Sequence, residues 1–215
     1  MSVRKSYNQN CPVAMGLDVL GERWTLLILR ELLGGPRRYS DLRSELPGIA
    51  TNLLAERLRG LENAGLVERR ELPAPVARTV YSLSREGWRT VPPVILAMAN
   101  FGLGLMDLAD HVDTPLNGFL AAVALGFQPS KGGDVDATYR LVVDGRAFDF
   151  ALRHGGMGAA DDAKTVTVHA TAVDLITART ATQAAKRKSA LRRVTFEGDP
   201  GAVRTFREVF NLSSD

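Results

Sequence analysis

The 215-residue chain has a single cysteine, Cys11. One thiol cannot close an internal disulfide, and that scarcity suits a reducing cytoplasm. Histidines are few: His111, His154 and His169 lie far apart, without metal-ligand spacing, so no metal or cofactor is expected. His169, on an alternating stretch, reads as a structural or pocket-polar residue. The chain contains no Gly-x-Ser-x-Gly elbow, no Gly-Lys-Ser/Thr phosphate loop and no His-Glu-x-x-His, so catalysis has little support. Gly102-Leu103-Gly104 and Gly156-Met157-Gly158 are fragments of glycine-rich loops, and Asp161-Asp162 reads as a solvated turn. Long apolar runs are missing too. The most apolar stretch, Val94 to Leu108, is about 15 residues and carries Asn100 and Asp107, against the ~20 a membrane crossing needs. Met1 to Asn10 is polar and does not read as a secretory signal. A cytoplasmic protein without a membrane partner is the expectation. The net charge is only +3, which alone does not argue for nucleic acid.

What is present is ordinary apolar content, 45%, arranged in two different patterns. Trp24 to Leu33 is densely apolar and should be a buried helix ended by Gly34-Gly35-Pro36. Ser40 is a candidate cap for a short helix through Leu46. After the Pro47-Gly48 turn, a second helix runs from about Thr51 to Ala64, with Leu54, Leu58 and Leu61 on one stripe. The period then changes to two. Leu66 to Leu72 and Arg78 to Leu83 read as strands around Pro73-Ala74-Pro75. Two short helices about a tight turn, then a β-ribbon, is the order of a winged helix-turn-helix. Pro92-Pro93 is expected to open a long apolar helix to about Asp110, too apolar to stand in water alone.

The charge distribution agrees with that order. Residues 1–90 hold 14 Lys and Arg against 10 Asp and Glu. Opposite the leucines, the second helix offers Thr51, Asn52, Glu56, Arg57 and Arg59, whose hydroxyl, amide and guanidinium groups suit base edges and phosphates. Arg69, Arg70 and Arg78 flank the ribbon, where a wing touches DNA backbone or minor groove. Arg37, Arg38, Tyr39 and Ser40 are further phosphate candidates. The bland alternative is a solvated helix face with surface pairs such as Glu56 and Arg59. Double-stranded DNA is therefore the expected partner.

Specific segments carry a resemblance. Cys11-Pro12-Val13, then Gly21-Glu22-Arg23-Trp24-Thr25-Leu26-Leu27-Ile28-Leu29-Arg30-Glu31-Leu32, resembles the signature of the HxlR-type winged-helix regulators. Tyr39-Ser40-Asp41-Leu42, Leu58-Arg59-Gly60-Leu61-Glu62, Gly65-Leu66-Val67-Glu68-Arg69 and Tyr81-Ser82-Leu83 continue it in register, over about residues 11–105. The resemblance implies a homodimer built through terminal helices and a roughly palindromic operator. It departs at Ala50, where the family's capping Ser stands, and at Asn52, which is often Lys, so base preference does not carry over. In several such proteins the cysteine of this motif senses oxidants or electrophiles. Pro12 as a first helical residue would put Cys11 at a helix N-terminus, where the dipole favours thiolate; a small buried hydrophobe is the alternative.

Asp113-Thr114-Pro115 reads as a boundary, leaving residues 1–112 as a winged-helix DNA-binding and dimerisation domain and 113–215 as a small, layered α+β domain. In the second part, Leu116 to Leu125 reads as a helix. Ala137 to Val143 and Ala147 to Arg153 alternate about Asp144-Gly145, a hairpin signal. Gly155 to Gly158 reads as a loop, Thr165 to Ala170 as a strand, Val173 to Leu191 as mainly helical and Arg193 to Glu197 as a strand. Asp199-Pro200 is a helix start, with Val203, Phe206 and Phe210 as an inward stripe. Tyr139 to Gly145, Ala172 to Leu175 and Val194 to Pro200 resemble, more weakly, the sterol carrier protein type-two fold. That resemblance implies a tunnel for a small apolar ligand. Phe119, Leu141, Val143, Phe148, Phe150, Val166, Val168, Phe206 and Phe210 are candidates to line it; the same alternation equally fills an ordinary core.

Overall fold

Apolar residues spaced at three and four, then at two, give helices followed by strands twice along this chain. The computed structural model describes residues 6–72, 78–103, 105, 136–153, 156–160 and 166–212. It divides into two units: residues 1–32 with 36–87, and residues 33–35 with 88–215. The expected boundary at 112/113, the helix expected over 116–125 and the candidate ligand residue Phe119 lie outside the described residues, as do His111, His154 and the Pro73-Ala74-Pro75 segment.

The first unit is a winged helix-turn-helix. Its order is α1 (Pro12–Leu20), α2 (Thr25–Leu33), β1 (Arg37–Arg38), α3 (Tyr39–Glu45), α4 (Thr51–Asn63), β2 (Val67–Leu72) and β3 (Arg78–Leu83). Ile28, Leu29 and Leu32 of α2, Leu42 of α3 and Leu54, Leu58 and Leu61 of α4 are all buried. Each such side chain contributes about 1.5–3 kcal/mol on leaving water. The three strands form one antiparallel sheet in the order β1-β3-β2. A carboxylate also lies inside this core: Glu31, 1% exposed, accepts two hydrogen bonds from Arg30, at 3.0 and 2.7 Å. Burial pushes its carboxyl up, and Arg30 opposes the shift.

Two details differ from the sequence expectation here. Ser40 does not cap α3. The cap is Arg38 and the helix starts two residues earlier, at Tyr39, because the Arg38 N–H donates to Asp41 Oδ2 at 3.0 Å and so closes the first turn. Nor does Pro92-Pro93 open the following helix: α5 spans Arg85–Leu103 and passes through both prolines. Ser84 is the cap, its Oγ accepting the Gly87 N–H at 2.9 Å, and proline's fixed φ is itself helical. Gly87 meets the residue before β2 so closely that a Cβ there would lie 2.1 Å from the Leu66 carbonyl oxygen.

The second unit carries a five-stranded mixed sheet, order β6-β5-β4-β7-β8. These strands are β4 (Ala137–Val143), β5 (Arg146–Arg153), β6 (Gly156–Ala159), β7 (Val166–Ala170) and β8 (Thr195–Gly198). The Asp144-Gly145 turn joins β4 to β5 with φ of 48° and 79°, the left-handed pair a two-residue hairpin requires. β7 runs parallel to β4. The Gly156–Gly158 segment, expected as a loop, is the edge strand β6. Its backbone pairs with β5 from Phe150↔Ala159 to Arg153↔Gly156, a tertiary pairing that overrides glycine's low strand preference.

The helical run expected over 173–191 is two helices, α6 (Ala172–Thr180) and α7 (Ala184–Arg193). The chain turns back because Arg187 of α7 donates to the Ala178 carbonyl at 3.1 Å, satisfying an acceptor the end of α6 leaves open. Arg193 at the end of α7 grips Asp174 in the first turn of α6, Nη2 to Oδ1 at 2.6 Å. The last helix, α8 (Pro200–Val209), begins as expected: Asp199 Oδ1 accepts the Ala202 N–H at 2.8 Å and Pro200 is the first helical residue. No described helix is long and apolar enough to cross a membrane.

Asp174 is 5% exposed, and its hydrogen bond from Arg193 holds its carboxyl below the ordinary value of 3.8. A carboxyl whose folded pKa is depressed stabilises the fold above that ordinary value and loses the contribution as pH falls through the folded one. Asp174→Asn is expected to destabilise the protein by about 1–3 kcal/mol near neutral pH. Melting curves of variant and wild type should converge below pH 3.8; a gap unchanged down the acid limb would remove the ion pair from the account.

Candidate nucleic-acid interface

Helix α4 follows α3 across the Pro47-Gly48 turn, with Leu46 and Ile49 buried on either side of it. The leucine stripe of α4 is enclosed, so its other residues face outward by geometry. Thr51, Asn52, Glu56 and Arg59 are exposed. Ala50, the cap residue, has no oxygen to offer the first turn, while Asn52 Oδ1 accepts the neighbouring Leu53 N–H at 3.0 Å. Arg59 rests its Nε on the Ala55 carbonyl at 3.3 Å, leaving its other nitrogens outward.

Arg57 sits differently. Its side chain is 15% exposed, and its guanidinium donates to Glu22 Oε2 at 2.8 Å, Glu56 Oε1 at 3.2 Å and the Arg23 carbonyl at 3.3 Å. It ties α4 to the turn between α1 and α2. Trp24 in that turn has φ of +77°, a left-handed backbone that costs a bulky residue about 1–2 kcal/mol. Glu22 and Arg23 are residues that sequence reasoning missed as partners of α4, because 35 positions separate Glu22 from Arg57. Tyr39 is half-buried, and its hydroxyl donates to the Thr51 carbonyl, linking α3 to the start of α4.

The sheet gathers the remaining arginines. Register places Arg37, Tyr81 and Arg69 in one row across the three strands and Arg38, Val80 and Arg70 in the next. Adjacent rows face opposite sides of a sheet, so one duplex surface meets one row directly. Arg69 and Arg70 are exposed, each beside a carboxylate of its own strand, Glu71 and Glu68. Arg38 is exposed and Arg37 half-buried, its Nε enclosed without a hydrogen-bond partner among the described residues. Ser40 is exposed in the first turn of α3. Arg78 opens β3, opposite Leu72; its side chain is outside the described set.

Cys11 is half-exposed at the N-cap of α1, with Pro12 as the first helical residue. The backbone amides of Ala14 and Val13 lower its thiol pKa. In the second unit, Leu141, Val143, Phe148, Phe150, Val166, Val168, Phe206 and Phe210 are all at most 1% exposed. They pack on one another: the Phe206 ring lies 4.6 Å from Phe210 and 5.2 Å from Tyr139. Among the described residues, no group of three metal-binding side chains occurs.

The model of the HxlR-like helix-turn-helix family matches residues 19–109. An HTH-type transcriptional regulator of Synechocystis sp. is 41% identical over 92 residues, 43% of this chain and 67% of that one. YdeP of Bacillus subtilis, another HTH-type transcriptional regulator, is 33% identical over 105 residues, 49% of this chain and 81% of that one. The chain belongs to the HxlR-like helix-turn-helix family. It is a transcriptional regulator of that type. Among solved structures, the redox regulator HypR in its oxidized form aligns with a TM-score of 0.43 at 33% identity, over 46% of this chain and 100% of that one. The family match ends before the second sheet begins at Ala137.

Within this HxlR-like unit, Arg57 and Arg59 have separable roles. Removing Arg57 leaves Glu22, Glu56 and the Arg23 carbonyl without their donor, so Arg57→Ala is expected to cost about 1–3 kcal/mol of stability. Arg59→Ala should stay within about 0.5 kcal/mol of wild type. Thermal unfolding followed by circular dichroism compares them; equal shifts would end the positioning role of Arg57.

Proposed function

We propose that this HxlR-type regulator acts in the cytoplasm as a homodimer on double-stranded DNA, laying α4 in the major groove of each half of a near-palindromic operator. The carrying observation is the division of α4: Leu54, Leu58 and Leu61 buried behind, Thr51, Asn52, Glu56 and Arg59 exposed in front. A major groove admits one helix, and residues near its N-terminus reach base edges. Arg59 then serves phosphate or base, the wing straddles the DNA backbone with Arg70 and Arg78 in rows of one ribbon face and Arg69 in a row of the other, and Arg37, Arg38, Tyr39 and Ser40 border the same groove. Arg57 supports the reading as the residue that holds α4 in place.

Apolar exposure supports the dimer. Val13, Met15 and Leu17 stand exposed on α1, and Met98 and Phe101 on α5, Phe101 at 71%. Surfaces of this kind mark a protein partner. The DNA reading is tested by fluorescence anisotropy with the chain's own promoter. Arg59→Ala is expected to weaken binding about tenfold and to reduce the slope of log affinity against log salt by about one. Binding that ignores salt, or a variant that matches wild type, removes α4 from the interface.

Residues 113–215 are read, with this, as a sterol-carrier-like effector domain that receives a small apolar ligand. Such a ligand controls DNA affinity only if it binds one arrangement of the dimer better than another. A lipid carrier whose winged helix is only an interaction module is the reading that salt-independent promoter binding would favour.

Cys11 carries a second reading, redox or electrophile sensing. What supports it is the half-exposed thiol at the α1 N-terminus with amides that favour the thiolate. Under sensing, Cys11→Ser abolishes the loss of operator binding caused by diamide; a variant that responds like wild type retires Cys11 as the switch.

A further inference from the structure

The second unit has a hollow apart from the ring cluster of Tyr139, Phe150, Phe206 and Phe210. Its volume is about 200 Å³, between α7, β8 and the end of α8. The floor is apolar: Val194 and Leu212 are buried, and Leu191 and Phe196 are half-buried. The rim is cationic. Lys188 and Arg192 stand four residues apart on α7, hence on one helix face, and both are exposed. Arg207 of α8 lies across from them, its guanidinium carbon 4.5 Å from the centre of the Phe196 ring.

The neighbouring basic residues of α7 have structural roles. Arg187 holds the Ala178 and Asn211 carbonyls, and Arg193 holds Asp174. Lys188 and Arg192 make no ion pair with another described residue and line the hollow instead. An apolar floor alone asks for a hydrocarbon, and a basic surface alone asks for a polyanion. Together they ask for one small molecule with a tail and an anionic head. An apolar cavity of about 150 Å³ takes benzene, so this hollow suits a single ring or a short chain rather than a sterol.

We propose that Lys188, Arg192 and Arg207, around Leu191, Val194, Phe196 and Leu212, form a binding site for a small amphipathic carboxylate. The tail lies on Phe196 and Leu191, and the carboxylate takes charge-assisted hydrogen bonds from Lys188 and Arg192. The site rests on the second unit alone; its use as an effector site rests on the regulator reading above.

Octanoate is the probe, titrated calorimetrically into the full chain, with 1-octanol as the uncharged tail and acetate as the head without a tail. One octanoate per chain is expected, with octanol and acetate each at least about tenfold weaker, a ratio worth ~1.4 kcal/mol. The double variant Lys188→Gln, Arg192→Gln should lose about tenfold or more for octanoate. Lys186→Gln, on the same helix but outside the hollow, should lose nothing, and circular dichroism checks that all variants fold. The site is overturned if octanoate does not saturate, if octanol matches it, or if the double variant binds octanoate like wild type. A double variant that loses DNA affinity while keeping octanoate assigns the cations to nucleic acid, which also overturns it. Promoter titration with and without octanoate separates the two readings. Octanoate bound with DNA affinity unchanged keeps the site and removes the effector role; absent DNA binding removes the regulator reading and leaves the site standing.

Discussion

An exposed polar helix face has a fixed direction only if something behind it cannot move. In α4 that something is the row Leu54, Leu58 and Leu61, enclosed together with Leu42 and the apolar residues of α2. Truncating one such leucine typically costs about 2–5 kcal/mol, a large share of the stability of any domain. Rotation of α4 by one residue would exchange a leucine for Arg57 or Arg59 in the interior, where an unpaired charge is far more costly than a lost methyl group. Every functional statement about Thr51, Asn52, Glu56 and Arg59 depends on that asymmetry.

Hydrophobic packing sets which face is inward, but it does not set where the helix points. Arg57 supplies that second constraint. It occupies the border of the leucine stripe, and two of its three contacts, Glu22 and the Arg23 carbonyl, lie in the α1–α2 turn. The turn is itself held in an unfavourable backbone at Trp24, so the surrounding contacts must over-determine it. The Tyr39 hydroxyl on the Thr51 carbonyl adds a third anchor at the other end. A cation, a strained turn and a phenol thus give α4 a position as well as an orientation. These links are hydrogen bonds to backbone and to partly exposed carboxylates, and the carboxylate pairs are weaker in salt than the leucine core.

Much of this was legible before any coordinates. The buried helix ending at Leu33, the leucine-striped helix from Thr51, the β2–β3 ribbon, the Asp144-Gly145 hairpin and the Asp199-Pro200 helix start follow from periodicity and local chemistry, and the structure has them. What stayed hidden depends on distant partners. Nothing near Arg57 in sequence distinguishes it from Arg59; only Glu22 and the Arg23 carbonyl do. Pro92-Pro93 looks like a helix start because proline at a first turn is common, yet Ser84 and the close fit of Gly87 against Leu66 start the helix earlier. Gly156 to Gly158 looks like a loop because edge pairing with β5 leaves no local trace. The two-residue strand β1 is invisible for the same reason.

The second unit presents the same limit in its functional form. Alternation marks Leu141, Val143, Phe148, Phe150, Val166 and Val168 as inward, and inward they are. Alternation is silent on whether the inward side closes. Here α8 brings Phe206 and Phe210 onto the sheet, and Tyr139, enclosed among those rings, donates its hydroxyl to the Ala202 carbonyl at 3.1 Å. Burial pushes that phenol up to about 12, so it stays a neutral donor across the accessible pH range. A polar group buried with its partner fixes the approach of α8 more closely than apolar contact alone, since a shift would strand both. Among the described residues, the hollow of about 200 Å³ lies at the edge of this packing, between α7, β8 and the end of α8. There the lining is no longer purely apolar, because helix ends and exposed faces carry the lysines and arginines that the core excludes. The ring contacts that seat α8 also set Arg207 and Leu212 beside β8, so the place of the cationic hollow follows from the placement of that helix.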